Sequence, residues 1–281
     1  GVPGPSIGFL QETIRWWDTW LKDADTGIMG EPMLRIWMQE SMPPQPQYAE
    51  WPGRWVAEHG WPSTNVTPMV LNLNANHLSE EPEEPVELSF SSPQSTGVRS
   101  GEWCGFGADG EMPRDQRPVA PDGSVLRVTY GLLNLTHRNG HELPEALVPG
   151  QWYRVRVQLN DIAQALPAGH RVRLSLSTAY WPIAWPSPEA VQMTVRTGTS
   201  SLSLPIRRPA RVDDTLADFA PPESAPGTAH RKLRAMPMQR RIEIDLATNE
   251  MVYSLISDGG ELEGASLARI EEIDLELGYT L

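Results

Sequence analysis

The chain is 281 residues long, enough to bury a substantial core, and its 40% hydrophobic and 21% charged residues are globular rather than disordered composition. Its 36 acidic side chains outnumber 23 basic ones, giving a formal charge of −13, and no Lys/Arg cluster with interleaved aromatics offsets that excess. Nucleic acid and anionic membrane surfaces both need a basic patch and are poor partners for such a chain.

One cysteine, Cys104, precludes an intramolecular disulfide and the usual cysteine-based zinc sites. No stretch approaches the roughly 18 apolar residues of a membrane span, and no charged-then-apolar signal peptide opens the chain. The expectation is a cytoplasmic protein. The chain opens on Gly1 rather than Met, as a piece of a longer polypeptide would. Its 27 prolines break helices and confine strands to edges or short runs, so short strands joined by loops are expected.

One helix is expected, with Ser6 as its N-cap and Ile7, Leu10, Ile14, Trp17 and Leu21 at helical spacing. Phe9, Trp16 and Trp20 form a second apolar row beside the first, so the apolar face is wider than a surface helix needs. After Gly27 the pattern turns to period two or to short apolar runs. Strands are expected near residues 33–38, 86–90 and 125–135. Tyr153, Val155, Val157 and Leu159 alternate with polar residues, as do Val172, Leu174 and Leu176, which predicts two more strands, each with one buried face. Antiparallel sheets packed as a sandwich follow from that pattern. Further strands are expected at residues 191–195 and 202–206. Residues 213–228, rich in Pro, Ala, Asp and Glu, read as a linker or extended arm. Ile242, Ile244 and Leu246, a turn at Thr248-Asn249 and residues 251–256 predict a hairpin.

Few stretches carry chemistry. Gly4-Pro5-Ser6-Ile7-Gly8 has the G-x-S-x-G spacing of a nucleophile elbow, but an elbow needs a preceding strand, and two of the five residues before Ser6 are prolines. Helix capping is the better reading of Ser6. His137, His141 and Glu142 lie within six residues, yet they follow a β-type run and enclose Asn139-Gly140, so they read as a turn without an evident third metal ligand. His170 opens a strand with no nucleophile near it in sequence and reads as a structural hydrogen-bonding group. Tyr180, Trp181 and Trp185 could form a sugar or peptide platform, but a Pro-braced corner sealing the sandwich fits them better. Asn65-Val66-Thr67 and Asn134-Leu135-Thr136 are formal glycosylation sequons that carry little weight without a signal peptide. No catalytic, cofactor-binding or metal-binding residue is assigned.

Longer strings point to one family. Pro3-Gly4-Pro5-Ser6-Ile7-Gly8-Phe9-Leu10-Gln11-Glu12, with Arg15-Trp16-Trp17-Asp18 and Trp20-Leu21-Lys22, resembles the last helix of the catalytic domain in CocE/NonD-type (Xaa-Pro dipeptidyl-peptidase-like) serine hydrolases. The run from Arg127 to Arg138, Ala168-Gly169-His170-Arg171, Ser177-Thr178-Ala179-Tyr180-Trp181-Pro182 and Trp185-Pro186-Ser187-Pro188-Glu189 resemble that family's C-terminal domain. The resemblance implies a galactose-binding-like jelly-roll β-sandwich preceded by one amphipathic helix left from an α/β-hydrolase domain. It divides the chain into a helix and linker (1–30), the sandwich (31–210) and a C-terminal hairpin extension (211–281). It also places the Ser-His-Asp triad upstream of Gly1, so no catalytic residue carries over. One departure is the short connection Pro118-Val119-Ala120 before Pro121-Asp122-Gly123, where the family has tens of residues.

The implied role is that of a non-catalytic portion of a hydrolase acting on acyl esters or Xaa-Pro peptides. Its partner would be the α/β-hydrolase domain, with homo-oligomer contacts as a further possibility. The alternative is a stand-alone carbohydrate- or peptide-binding module, and an independent enzyme using Ser6 or the His137/His141 pair ranks last.

Overall fold

The computed structural model describes residues 4–43, 48, 50–98, 125–185, 187–227, 230–234, 238–248, 250–257, 260–264, 269–271 and 275–280. Cys104, the 117–121 connection, Pro186 and Asn249 lie outside the described residues.

The chain starts with helix α1 (Phe9–Lys22) and continues as strands. In chain order they are β1 (Leu34–Gln39), β2 (Gly53–Glu58), β3 (Val66–Leu73), β4 (Leu78–Ser79), β5 (Glu87–Phe90), β6 (Met193–Arg196), β7 (Ser201–Arg207), β8 (His230–Arg234), β9 (Met238–Asp245), β10 (Glu250–Ser257), β11 (Glu261–Gly264), β12 (Arg269–Glu271) and β13 (Leu275–Thr280). They pair antiparallel in five small sheets, ordered β1-β2, β4-β3-β7, β5-β6, β13-β10-β9 and β12-β11-β8. The protein is mainly β with one N-terminal helix, as its composition and periodicity predict.

The β1-β2 pair shows why tryptophans are so frequent. Trp37 faces Trp55 across the ladder with the rings edge-to-face, 5.3 Å apart. Trp37 Nε1 donates to the carbonyl of Trp51 and Trp51 Nε1 to that of Glu40, so each indole buries its body and satisfies its one donor. Gly53 lies opposite Gln39, where an added Cβ would stand 2.4 Å from the Met38 carbonyl. Only glycine allows that approach.

Tyr253 of β10 is buried with Trp181 and Val98, and Ile242, Met251 and Leu255 of the β9-β10 hairpin pack around them. The predicted hairpin therefore contributes to a core cluster.

Three expected strands are absent. Residues 125–135, 153–159 and 171–177 form no ladder among the described residues, and Leu135 opens a 3-10 turn. The first two lie side by side, with Asn160 N–H donating to the Tyr130 carbonyl at 2.9 Å and Thr129 Oγ1 to that of Asn160 at 2.9 Å. These bonds are isolated, and Val155, Val157, Val172 and Leu176 keep much of their surface exposed. Alternation predicts a side chain's face, but a strand also needs a neighbour in register, and the described residues supply none here. No closed sandwich forms among them.

The N-cap of α1 is also not Ser6. Gly8 occupies that position without a side-chain cap, and the carbonyl of Gly8 accepts from Glu12 N–H at 2.9 Å. The segment expected as a linker or extended arm, residues 213–228, begins in a 3-10 turn (Arg211–Thr215) and runs on without a ladder to residue 227, where the described stretch ends. That arm is pinned: Ala220 accepts from Gly8 N–H at 2.7 Å, Pro221 from Gln11 Nε2 at 2.9 Å, and Ala217 from Arg35 Nη2. Phe219 lies beneath the Arg35 guanidinium at 3.7 Å and against Trp55 at 4.9 Å.

Candidate functional site

Helix α1 follows directly from its sequence. Glu12 lies in its first turn and Lys22 in its last, both favourable to the helix dipole. Asp23 then turns left-handed (φ 52°), and Ala24 N–H closes the end on the Asp18 carbonyl at 3.1 Å. Arg15 bridges Glu12 at 2.6 Å and Glu31 at 2.5 Å, anchoring the polar side. Among the described residues, nothing covers the apolar side. Phe9, Leu10, Ile14, Trp16, Trp17, Trp20 and Leu21 are all exposed, up to 73% for Leu21, and no residue of α1 is buried. Trp16 and Trp20 lie against one another with their rings tilted, centres 5.7 Å apart. The apolar face is wider than a surface helix needs, and the described sheets cover neither row.

Ser6 does not sit on an elbow. Gly4 and Pro5 form no strand, and the first described strand begins at Leu34. The second glycine of the motif has a packing role: Gly8 is buried, and a Cβ there would meet Gln11 Oε1 at 2.8 Å and the Ala220 carbonyl at 3.0 Å.

His137 and His141 do come together, although no α-helix carries them. His137 ends the 3-10 turn Leu135–His137, which is capped by Asn134 through Oδ1 to Thr136 N–H and Oγ1. Gly140, at φ 146°, reverses the chain and brings His141 Nδ1 to 3.2 Å from His137 Nδ1. Glu142 is exposed beside them, while Glu145 is committed to Arg138 and Asn139. Among the described residues no group of three or more His, Cys, Asp or Glu side chains is arranged to hold a metal ion. His170 is exposed at a turn, with its own N–H on the Pro167 carbonyl. Of the sequon asparagines, Asn65 is engaged with Glu58 and the Arg208 carbonyl.

The aromatic run is divided. Trp181 is buried between Trp185 and Tyr253, ring centres 5.0 and 6.3 Å away, both edge-on. Its backbone N–H donates to the Thr96 carbonyl at 2.8 Å. Trp185, by contrast, is 76% exposed. The corner reading holds for Trp181 and fails for Trp185. Arg127 lies over Tyr130 and donates to the Tyr180 hydroxyl, which ties this corner to residues 125–130. A concavity of about 130 Å³ beside Trp37, Gln39 and residues 161–164 is smaller than the roughly 300 Å³ at which small-molecule pockets begin.

Sequence reasoning missed one charged centre. Arg207 of β7 is nearly buried between Glu58 at the end of β2 and Asp213 in the 3-10 turn. Its Nε donates to Glu58 at 2.6 Å, and its two terminal nitrogens grip Asp213 at 2.7 and 2.8 Å. Burial alone would raise both carboxyl pKa values. For Glu58, hydrogen bonds from Ser63, Asn65 and Arg207 outweigh it, and for Asp213 those from Arg207, Ala210 and Ala57 do; both stay below the ordinary range. Every group is paired, so this centre joins β2, β7 and the arm and has no vacant coordination for a substrate. The separation of 149 positions between Glu58 and Arg207 hides it from any local motif.

Residues 117–229 match the family model of the X-Pro dipeptidyl-peptidase C-terminal non-catalytic domain. The matched span contains the strings from Arg127 to Arg138, Ala168 to Arg171 and Ser177 to Glu189, and it excludes α1 and β1 to β5. No curated protein and no solved structure matches the chain.

Proposed function

We propose, from the premise that the chain carries an X-Pro dipeptidyl-peptidase C-terminal non-catalytic domain, that it is the supporting portion of a serine hydrolase that cleaves acyl esters or Xaa-Pro peptides. The carrying observation is α1, whose two apolar rows are both uncovered. An exposed apolar patch of this kind marks an interaction surface. The partner that accounts for it is the α/β-hydrolase domain implied by the resemblance, against which α1 packs as a last helix. On this reading residues 31–210 complete a jelly roll in the assembled protein, and residues 211–281 extend it. Catalysis belongs to a Ser-His-Asp triad and an oxyanion hole on the partner domain, and this portion walls the cleft or holds the domain in place.

A stand-alone carbohydrate- or peptide-binding module is favoured by one observation, the exposed Trp185 against Trp181. Such a module has no use for α1, which is why the supporting role ranks first.

The test is turnover of a chromogenic acyl ester and an Xaa-Pro amide by the isolated chain and its Ser6→Ala variant. Both are expected at background, because a serine without base and oxyanion donors is nearly inert. Robust turnover abolished by Ser6→Ala would sink the proposal.

A further inference from the structure

The turn at residues 134–145 holds two imidazoles at a spacing that suits a shared ion. We propose that His137 and His141 form a two-imidazole surface chelate for a borderline divalent transition ion of the zinc, nickel or copper(II) class. The nitrogens that meet are both Nδ1, 3.2 Å apart. An ion about 2.05 Å from each would see them at an angle of roughly 100°, close to tetrahedral. The ring centres, 5.1 Å apart with planes tilted by 40°, provide a second check. A ring centre lies about 1.15 Å behind its nitrogen, so that same ion position predicts centres about 5.0 Å apart. Two nitrogens aimed straight at each other in a hydrogen bond would set the centres about 5.5 Å apart. Both distances are compatible with one ion position between the rings.

The turn is held independently of the imidazoles. Arg138, between them in sequence, is almost wholly buried. It donates to the carbonyls of Leu135 and Glu145 at 3.0 and 2.8 Å, pairs with the Glu145 carboxylate at 2.8 Å, and stacks over Tyr153 at 4.5 Å. A site built this way loses little freedom on binding. Imidazole donors suit zinc, nickel and copper(II) and not the hard ions magnesium and calcium, and copper(II) binds a given nitrogen site most tightly. Two protein donors leave the other positions to water or to a ligand. Glu142, exposed and next to His141, is the carboxylate free to approach.

Calorimetric titration of the full chain with zinc and with copper(II), near neutral pH and against magnesium as control, tests the site. One ion per chain is expected, copper(II) tighter than zinc and magnesium silent. His141→Gln should weaken binding by roughly tenfold or more, because the remaining imidazole holds the ion through a single bond. Metal-free thermal unfolding of His141→Gln should match the wild type, since its ring meets only His137. Zinc should raise the melting temperature of the wild type and leave that of the variant unmoved. Equal affinity in wild type and His141→Gln overturns the proposal, as does the absence of binding by both metals. Should His137→Gln fail to fold, His141→Gln alone decides the matter.

Discussion

At the scale of single residues, the pairing of Arg207 with Glu58 and Asp213 makes the sharpest commitment. Removing one partner of a buried ion network leaves charge without compensation and typically costs about 3 kcal/mol. Arg207→Met keeps much of the side-chain volume and strands two buried carboxylates, so a loss of about 3 kcal/mol in urea unfolding is expected near pH 7. The pH dependence has a definite sign. Glu58 and Asp213 have folded pKa values below their ordinary ones, so their contribution is complete above the ordinary carboxylate range. It fades as pH falls through the lower folded values. The gap between wild type and Arg207→Met should therefore be full at about pH 7 and narrower in acid, as pH falls below the ordinary carboxylate range toward the lowered folded values. A gap that stays constant between the two conditions would mean that Arg207 acts through packing and not through charge.

Helix α1 is the element whose behaviour decides the proposed role. Its aromatic row is exposed, so Trp16→Glu with Trp20→Glu removes apolar surface from water without opening a core. The wild type should self-associate or bind a hydrophobic dye, and the double variant should do so less while unfolding at a similar denaturant concentration. Light scattering, dye fluorescence and urea titration measure these. A monomeric, dye-silent wild type with an unfolded double variant would show that both rows are core. The same helix shows what the sequence made legible. Its extent is plain from 3.6-residue periodicity, and the apolar width read from the sequence is seen in the exposed rows. Its N-cap was not legible, because Gly8 is fixed by the arm at Ala220, over two hundred residues away. Strand β3 was missed for a different reason: Pro68 interrupts its pattern. Pro68 lies opposite Pro205 of β7, and a directly opposed antiparallel pair exchanges either two hydrogen bonds or none. Two prolines fit the second kind, so neither removes a ladder bond. The turn at His137 and His141 is legible from Asn139-Gly140, whereas the meeting of the two imidazoles is not, because it depends on a 3-10 turn followed by the positive φ of Gly140.

At the scale of the whole molecule, surface area and hydrogen bonding point the same way. Among the described residues, the face of α1 is exposed, and so are Val155, Val157, Val172 and Leu176 in the segments that form no ladder. If these segments acquire neighbours only in the assembled hydrolase, their amides should be open in the isolated chain. Hydrogen exchange separates them from the laddered strands. β3 pairs with β7 over the register from Val66 to Asn72, and β10 is flanked by β9 and β13. Amides there should exchange slowly, limited by opening of the sheets. Those of residues 153–159 and 171–177, which form no ladder among the described residues, should exchange close to the rate of unstructured chain. Joining the catalytic domain should then slow exchange in α1 and in these two segments together, since one partner covers the helix and lets the sheet beside it close. Equal protection of residues 153–159 and β3 in the isolated chain would mean that the sandwich already closes on its own. The apolar face of α1 would then have to be explained without an incomplete fold.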